Sequence, residues 1–169
     1  MVESSQQPPN DLLEIVLEKS HYLPGEVVSG VVNKKHGISS IMSSALTLQL
    51  EGKEEITFWK KCVTRRRRYL KKLVRSTEIV NIKFELAKFV DDAVPNTALA
   101  YPFIIMLPTY LPPSVTLENS KITGLKAQVK YRVIANFVSP DKAGPSKAVD
   151  LQILRPHPDT QPKVGSAVF

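Results

Sequence analysis

The sequence predicts an all-β fold, an antiparallel β-sandwich, on three observations. Apolar residues recur with period two in several segments, no long window carries a 3.6-residue stripe, and thirteen prolines punctuate the chain. Alternation marks strands with one buried face. Proline is confined to the turns, edges and loops of such sheets. About eight short strands joined by Pro-rich connections suit a single sandwich.

The strands follow in order. LLEIVLE (12–18) and VVSGVVN (27–33) are rich in β-branched residues and flank a Pro24-Gly25 pair. That pair demands a tight turn, with Gly25 free to take positive φ. Gly30, inside the next strand, points to a close backbone approach or a bulge. In ALTLQLE (45–51), Leu46, Leu48 and Leu50 share one face. ITFW (56–59) is a further strand, and Gly52 reads as the turn between the two. IVNIKFEL (79–86) alternates through Val80, Ile82, Phe84 and Leu86, and FELAKFVDDA (84–93) can hold a short helical turn. YPFIIML (101–107) and VDLQIL (149–154) are bounded by turn residues. KAQVKYRVIANF (126–137) is the clearest strand, with Ala127, Val129, Tyr131, Val133, Ala135 and Phe137 on one face. Residues 1–11 and 155–169 read as flexible tails, which leaves 12–154 as the domain.

A chain of 169 residues buries enough surface to fold without cross-links. Its single cysteine, Cys62, permits no internal disulfide, and no Asn-X-Ser/Thr sequon occurs. Both fit a reducing compartment. The polar start, MVESSQQPPND, resembles neither a signal nor a transit peptide. No apolar run is long enough to span a bilayer. A cytoplasmic location is expected, with membrane or endosome association open and a nuclear one the alternative.

The net charge of +7 is concentrated in one place. KKCVTRRRRYLKKLVR (60–75) holds Lys60, Lys61, Arg65, Arg66, Arg67, Arg68, Lys71, Lys72 and Arg75, and no acid. Setting these aside takes the net charge from +7 to −2. The segment lies between strands, either as a long connection or as two strands extended beyond the sheet. An inert solvated loop is the plain reading, since like charges repel. Against it stand an anionic lipid surface, with Tyr69, Leu70, Leu73 and Val74 dipping into the interface, and an acidic or phosphorylated protein partner held by Arg forks. A nucleic-acid or nuclear-import role for Arg65–Arg68 is the alternative class, but the rest of the chain offers no second basic face.

Catalysis has little to build on. His21, His36 and His157 fall in no nucleophile or metal spacing. Cys62 has basic neighbours, but with no base or orienting partner beside it in sequence it reads as a plain thiol. Asp91 and Asp92 are adjacent and would diverge in an extended chain. No Gly-rich phosphate loop occurs. The chain is read as non-enzymatic, with no cofactor and no metal. Trp59 serves either as an interface anchor or as a lid on the core. LPTYLPPS (107–114) offers polyproline to an SH3-type partner or, more simply, a sandwich connection.

Three stretches go further than composition. HYLPGEVVSGVV (21–32) contributes Tyr22, Pro24, Gly25, Glu26, Val28 and Gly30. LQLEGKEEITFW (48–59) contributes Leu50, Gly52 and Trp59. YPFIIMLPTYLPPSV (101–115) and VKYRVIANF (129–137) contribute Pro102, Phe103, Leu107, Pro108, Leu111, Pro112 and Ser114, then Tyr131, Val133 and Ala135. In this order, over roughly residues 12–154, they resemble the arrestin-type N-terminal domain, particularly its alpha-arrestin branch of arrestin domain-containing proteins.

The resemblance implies an immunoglobulin-like antiparallel β-sandwich of the arrestin N-domain type. It implies an adaptor or scaffold for cytoplasmic tails of membrane proteins or for trafficking components, acting in endocytosis, protein transport or signalling. A retromer-type trafficking subunit is a variant of the same idea. The chain also departs from the family. The sequence ends where the family's usual second sandwich would begin, which suggests a one-domain member or one half of a larger assembly. No Pro-Pro-x-Tyr motif is present within it for WW-domain ubiquitin ligases, and Lys19 beside Glu18 replaces the paired lysines that visual and beta-arrestins turn toward receptor phosphates. The oligomeric state is open, since an exposed strand edge can pair two copies.

Overall fold

The computed structural model describes residues 12–35, 42–119, 124–139 and 143–156. The expected tails at 1–11 and from 157 onward lie outside these, as do His36 and His157. Nine strands form two sheets: β1 (Leu13–Leu17), β2 (His21–Tyr22), β3 (Val27–Lys34), β4 (Ala45–Val63), β5 (Arg68–Lys88), β6 (Leu99–Met106), β7 (Val115–Asn119), β8 (Leu125–Val138) and β9 (Ala143–Ile153). One sheet runs β1-β3-β6, and the other runs β2-β9-β8-β4-β5 with β7 also on β8. All pairings are antiparallel except β2 with β9. This is the all-β sandwich the alternation predicts.

The two inner faces meet in one apolar core. Leu13 and Ile15 of β1, Val28 and Val32 of β3, and Phe103 and Ile105 of β6 form one wall. Leu46, Leu48 and Leu50 of β4 face them, with Val129, Val133, Ala135 and Phe137 of β8 and Leu151 and Ile153 of β9. Each Leu of β4 is fully buried, and burying such a side chain stabilises by roughly 1.5–3 kcal/mol. Lys34 is also buried; its ammonium donates to the Thr97 carbonyl at 2.8 Å, and burial lowers its pKa.

Two glycines behave as their surroundings require. Gly25 sits at φ +83° in the turn before β3, where the Glu26 N–H donates to the Leu23 carbonyl and the Glu26 carboxylate accepts from the Leu23 N–H. Gly30 lies where a Cβ would come 2.5 Å from the Val16 carbonyl oxygen and 2.8 Å from the Phe103 ring. It is the close approach that its place in the strand suggests.

Three expectations change. Gly52 is no turn: β4 runs unbroken for nineteen residues, from Ala45 to Val63. The ring of Tyr131 lies where a Gly52 side chain would be, 2.5 Å from an ideal Cβ, so glycine admits a ring here and does not reverse the chain. The helical turn expected within 84–93 is a strand through Lys88 and then one 3-10 turn at Val90–Asp92, with Asp91 at φ 53°. Sequence pattern also missed β2 and β7; β2 has only two residues, and the five of β7 are all exposed and leave no buried face to alternate.

Tyr131 then ties the sheet to the Pro-rich connection. Its hydroxyl donates to the Pro112 carbonyl at 2.7 Å. Ser114 continues the join: its N–H donates to the Ile153 carbonyl at 2.8 Å, and its Oγ accepts from the Ile153 N–H at 2.9 Å. The run LPTYLPPS is thus fastened to β8 and β9 as a sandwich connection.

Two predictions follow from these contacts. Gly30→Ala forces methyl against backbone and should lower stability by about 1–3 kcal/mol, read as a lower urea midpoint at unchanged slope. Burial pushes the Tyr131 phenol up to about 12 from 10.0, and it raises Tyr101 as well. Because the folded value lies above the unfolded one, this contribution is complete below pH 10 and is lost as pH climbs toward 12. Tyr131→Phe should cost about 1 kcal/mol at neutral pH through the unpaired Pro112 carbonyl. It should also flatten the alkaline loss, leaving the part due to Tyr101; urea midpoints measured at neutral and alkaline pH test both effects.

Candidate functional site: a projecting basic ribbon

The basic run is the outer end of the β4–β5 hairpin. β4 pairs with β8 only as far as Thr57, opposite Lys126. Beyond that point its one partner is β5, in the rungs Phe58↔Leu73, Trp59↔Lys72, Lys60↔Lys71, Lys61↔Leu70, Cys62↔Tyr69 and Val63↔Arg68. Of the two arrangements open from sequence, the structure has the extended strands. A two-stranded ribbon projects from the sandwich and ends in a turn at 64–67.

Thr64 closes that turn. Its N–H donates to the Arg67 carbonyl at 2.9 Å, and its hydroxyl donates to the same oxygen at 3.1 Å. The Arg67 N–H in turn donates to Thr64 Oγ1 at 3.2 Å. The hydroxyl takes the acceptor role that a backbone carbonyl fills in an ordinary two-residue hairpin.

Period two sorts the ribbon into two faces. Phe58, Lys60, Cys62, Tyr69, Lys71 and Leu73 share the side continuous with the core. Trp59, Lys61, Val63, Arg68, Leu70 and Lys72 share the other. Each face mixes cations with apolar groups. All nine basic side chains from Lys60 to Arg75 are exposed, and among the described residues none has an ion-pair partner. Val63, Tyr69, Leu70 and Val74 are each at least half exposed. Leu73 is partly covered.

Trp59 does not lid the core. It stands 41 % exposed at the base of the ribbon, its indole lying over Gly124, which has φ +63° at the β7–β8 turn. Cys62 is half-buried beside Tyr69. His21 is exposed and bonds Ser20 Oγ at 3.0 Å. Asp91 lies in the 3-10 turn, away from the ribbon. Among the described residues no group of three His, Cys, Asp or Glu is placed to hold a metal ion.

The outer face of the larger sheet contrasts with the ribbon, and its charges were not singled out by sequence. Glu51, Lys53, Glu55, Gln128, Lys130, Arg132 and Asp150 line a groove of ≈ 280 Å³. Glu51 is buried between Lys53 Nζ at 2.5 Å and Arg132 Nε at 2.7 Å, and these bonds, Lys53 first, hold its carboxyl below the usual range against desolvation. Gln128 donates to Glu55 at 2.6 Å, and Lys126 pairs Glu118 at 2.6 Å. Acids and bases are interspersed along this groove, three of each.

The remaining motif residues hold the fold together. Tyr22 and Phe103 are buried. Lys19 Nζ lies 5.1 Å from the Tyr22 ring centroid and 3.3 Å from Glu26 Oε2. Pro102 is exposed on β6, opposite Val31, and Pro108 follows the buried Leu107.

A family model described as "Arrestin (or S-antigen), N-terminal domain" matches residues 13–159, and the chain belongs to that family. No curated protein matches the chain. Among solved structures it is similar to Spo0M, the sporulation control protein of Bacillus subtilis, at 17 % identity and a TM-score of 0.39, over 83 % of this chain and 48 % of that one. The chain thus spans about half the length of Spo0M. No helix among the described residues is long and apolar enough to cross a membrane.

The lone tryptophan makes the ribbon's geometry measurable. Trp59 emission should be readily quenched by acrylamide in the native protein. Native emission shielded from the quencher would place the indole in a core and contradict the arrangement described.

Proposed function

We propose that this chain is a non-catalytic arrestin-type adaptor. Its sandwich holds a protein partner, such as the cytoplasmic tail of a membrane protein or a trafficking component, and its basic ribbon rests on an anionic membrane surface. Family membership supports the general adaptor role. The observation that carries the membrane reading is the ribbon: nine exposed cations without ion-pair partners, interleaved on both faces with exposed apolar side chains. Cations near an anionic leaflet gain about 1 kcal/mol each. Apolar neighbours at alternate rungs add burial at the interface. A nucleic-acid reading finds less support, because the adjoining sheet face intersperses Glu51, Glu55 and Asp150 among its cations and extends no basic track.

The protein partner has an edge to use. β5 is a strand of twenty-one residues with β4 as its one sheet neighbour among the described residues. An extended tail can add along such an edge through main-chain hydrogen bonds. Arg68, Lys71, Lys72 and Arg75 on the same strand favour an acidic one.

Vesicle co-sedimentation tests the membrane reading. The wild type should bind phosphoinositide-containing vesicles at physiological salt and leave neutral phosphatidylcholine vesicles in solution. Replacing Arg65, Arg66, Arg67 and Arg68 together by Ala should weaken binding by about a thousandfold, at about 1 kcal/mol per residue. Absence of wild-type binding, or equal binding by the variant, would remove lipid as the ribbon's target.

A further inference from the structure

We propose that Thr64 is a phosphorylation site for a serine/threonine kinase selective for basic sequences, and that its phosphate detaches the ribbon from an anionic membrane. The second half rests on the membrane reading given above; the first does not.

Thr64 is the one serine or threonine within residues 60–75. Lys60 and Lys61 precede it by four and three residues, and Arg65, Arg66, Arg67 and Arg68 follow it directly. A kinase cleft lined with carboxylates selects a hydroxyl flanked by cations on both sides, through charge complementarity. The structure adds access. Thr64 is exposed at the far end of a two-stranded ribbon, at its turn, where no third strand pairs among the described residues. What holds the hydroxyl is the pair of bonds with Arg67. Releasing it frays the tip and leaves the sandwich intact.

The reaction is ordinary phosphoryl transfer. Thr64 Oγ1 attacks the γ-phosphorus of magnesium-bound ATP, and its proton passes to the kinase's catalytic carboxylate. The Oγ1–P bond forms as the bond to ADP breaks. The product has lost the proton that Thr64 donated to the Arg67 carbonyl. It has also gained a charge of about −1.5 to −2 and three strong acceptors. These lie among Arg65, Arg66 and Arg67 of the turn, with Lys60 and Lys71 on the same ribbon face. Arg forks turn inward to the phosphate and away from lipid. The same electrostatics that draws the ribbon to an anionic surface then releases it.

The full chain is incubated with ATP and a purified basophilic serine/threonine kinase, and the modified residue is mapped by mass spectrometry. Phosphate should appear first and near-stoichiometrically on Thr64, be retained on serine in Thr64→Ser, and vanish from this position in Thr64→Ala. Modification confined to Ser76 or Thr77, or none, would overturn the assignment. The phosphorylated and unmodified proteins are then compared on phosphatidylserine–phosphatidylcholine vesicles. Two added negative charges should weaken binding by about thirtyfold, and Thr64→Glu should show part of this. A Thr64 phosphate that leaves vesicle affinity unchanged would overturn the release. Unmodified protein that never binds the vesicles would sink the membrane reading and the release with it; that result is read without the kinase, so the two failures are told apart.

Discussion

The contact of the Tyr131 ring with Gly52 is the constraint on which the rest of the molecule depends. Any side chain at position 52 would occupy the ring's place, 2.5 Å from its atoms. Because the ring fits, β4 passes through the core without reversing and can carry its strand pairing out to Val63. Because the hydroxyl then reaches the Pro112 carbonyl, the Pro-rich connection closes over the same spot. One aromatic side chain thus joins β4, β8 and the β6–β7 connection, and the ribbon is a continuation of the strand it fixes.

Charge is organised by this geometry. Where β4 is flanked by both β5 and β8, opposite charges on the outer face find each other, as Glu51 finds Lys53 two residues along its own strand and Arg132 across on β8. Beyond Thr57 the β8 neighbour is gone, and residues 56–77 of β4, the turn and β5 carry no acid of their own. Cations there have like-charged or apolar rungs opposite them, such as Lys60 with Lys71. Like charges directly opposite each other destabilise a ribbon. An anionic surface or a phosphate at the tip would relieve that repulsion, which gives the membrane proposal and the Thr64 proposal a common physical origin.

Much of the fold was legible because burial on one face leaves a period-two signature. Leu46–Leu48–Leu50 and Val129–Tyr131–Val133–Ala135–Phe137 show it, and both are core strands. The Pro-Gly turn and the close approach at Gly30 were legible because few other residues tolerate those conformations. Gly52 was misread for the same chemistry. A glycine that turns the chain and a glycine that admits a ring look alike until the ring's partner, seventy-nine positions away at Tyr131, is known. Short β2 and β7 had no pattern to read: β2 exists only by pairing with the distant β9, and β7, on the neighbouring β8, buries none of its residues.

The sequence by itself determined that the chain is a β-sandwich of the arrestin N-terminal type, and that its excess positive charge lies within residues 60–75. Both are local properties, carried by alternation, turn residues and the order of short motifs. Tertiary structure alone decided that the basic segment is a paired two-stranded ribbon with cations and apolar groups on both faces, and that Trp59 stands outside the core. It also decided that Thr64 closes the tip and that the neighbouring sheet face neutralises its own charges. Those facts depend on which strand lies beside β4 at each rung and where β8 stops, and cross-strand neighbours are set by register, which no local stretch of sequence contains.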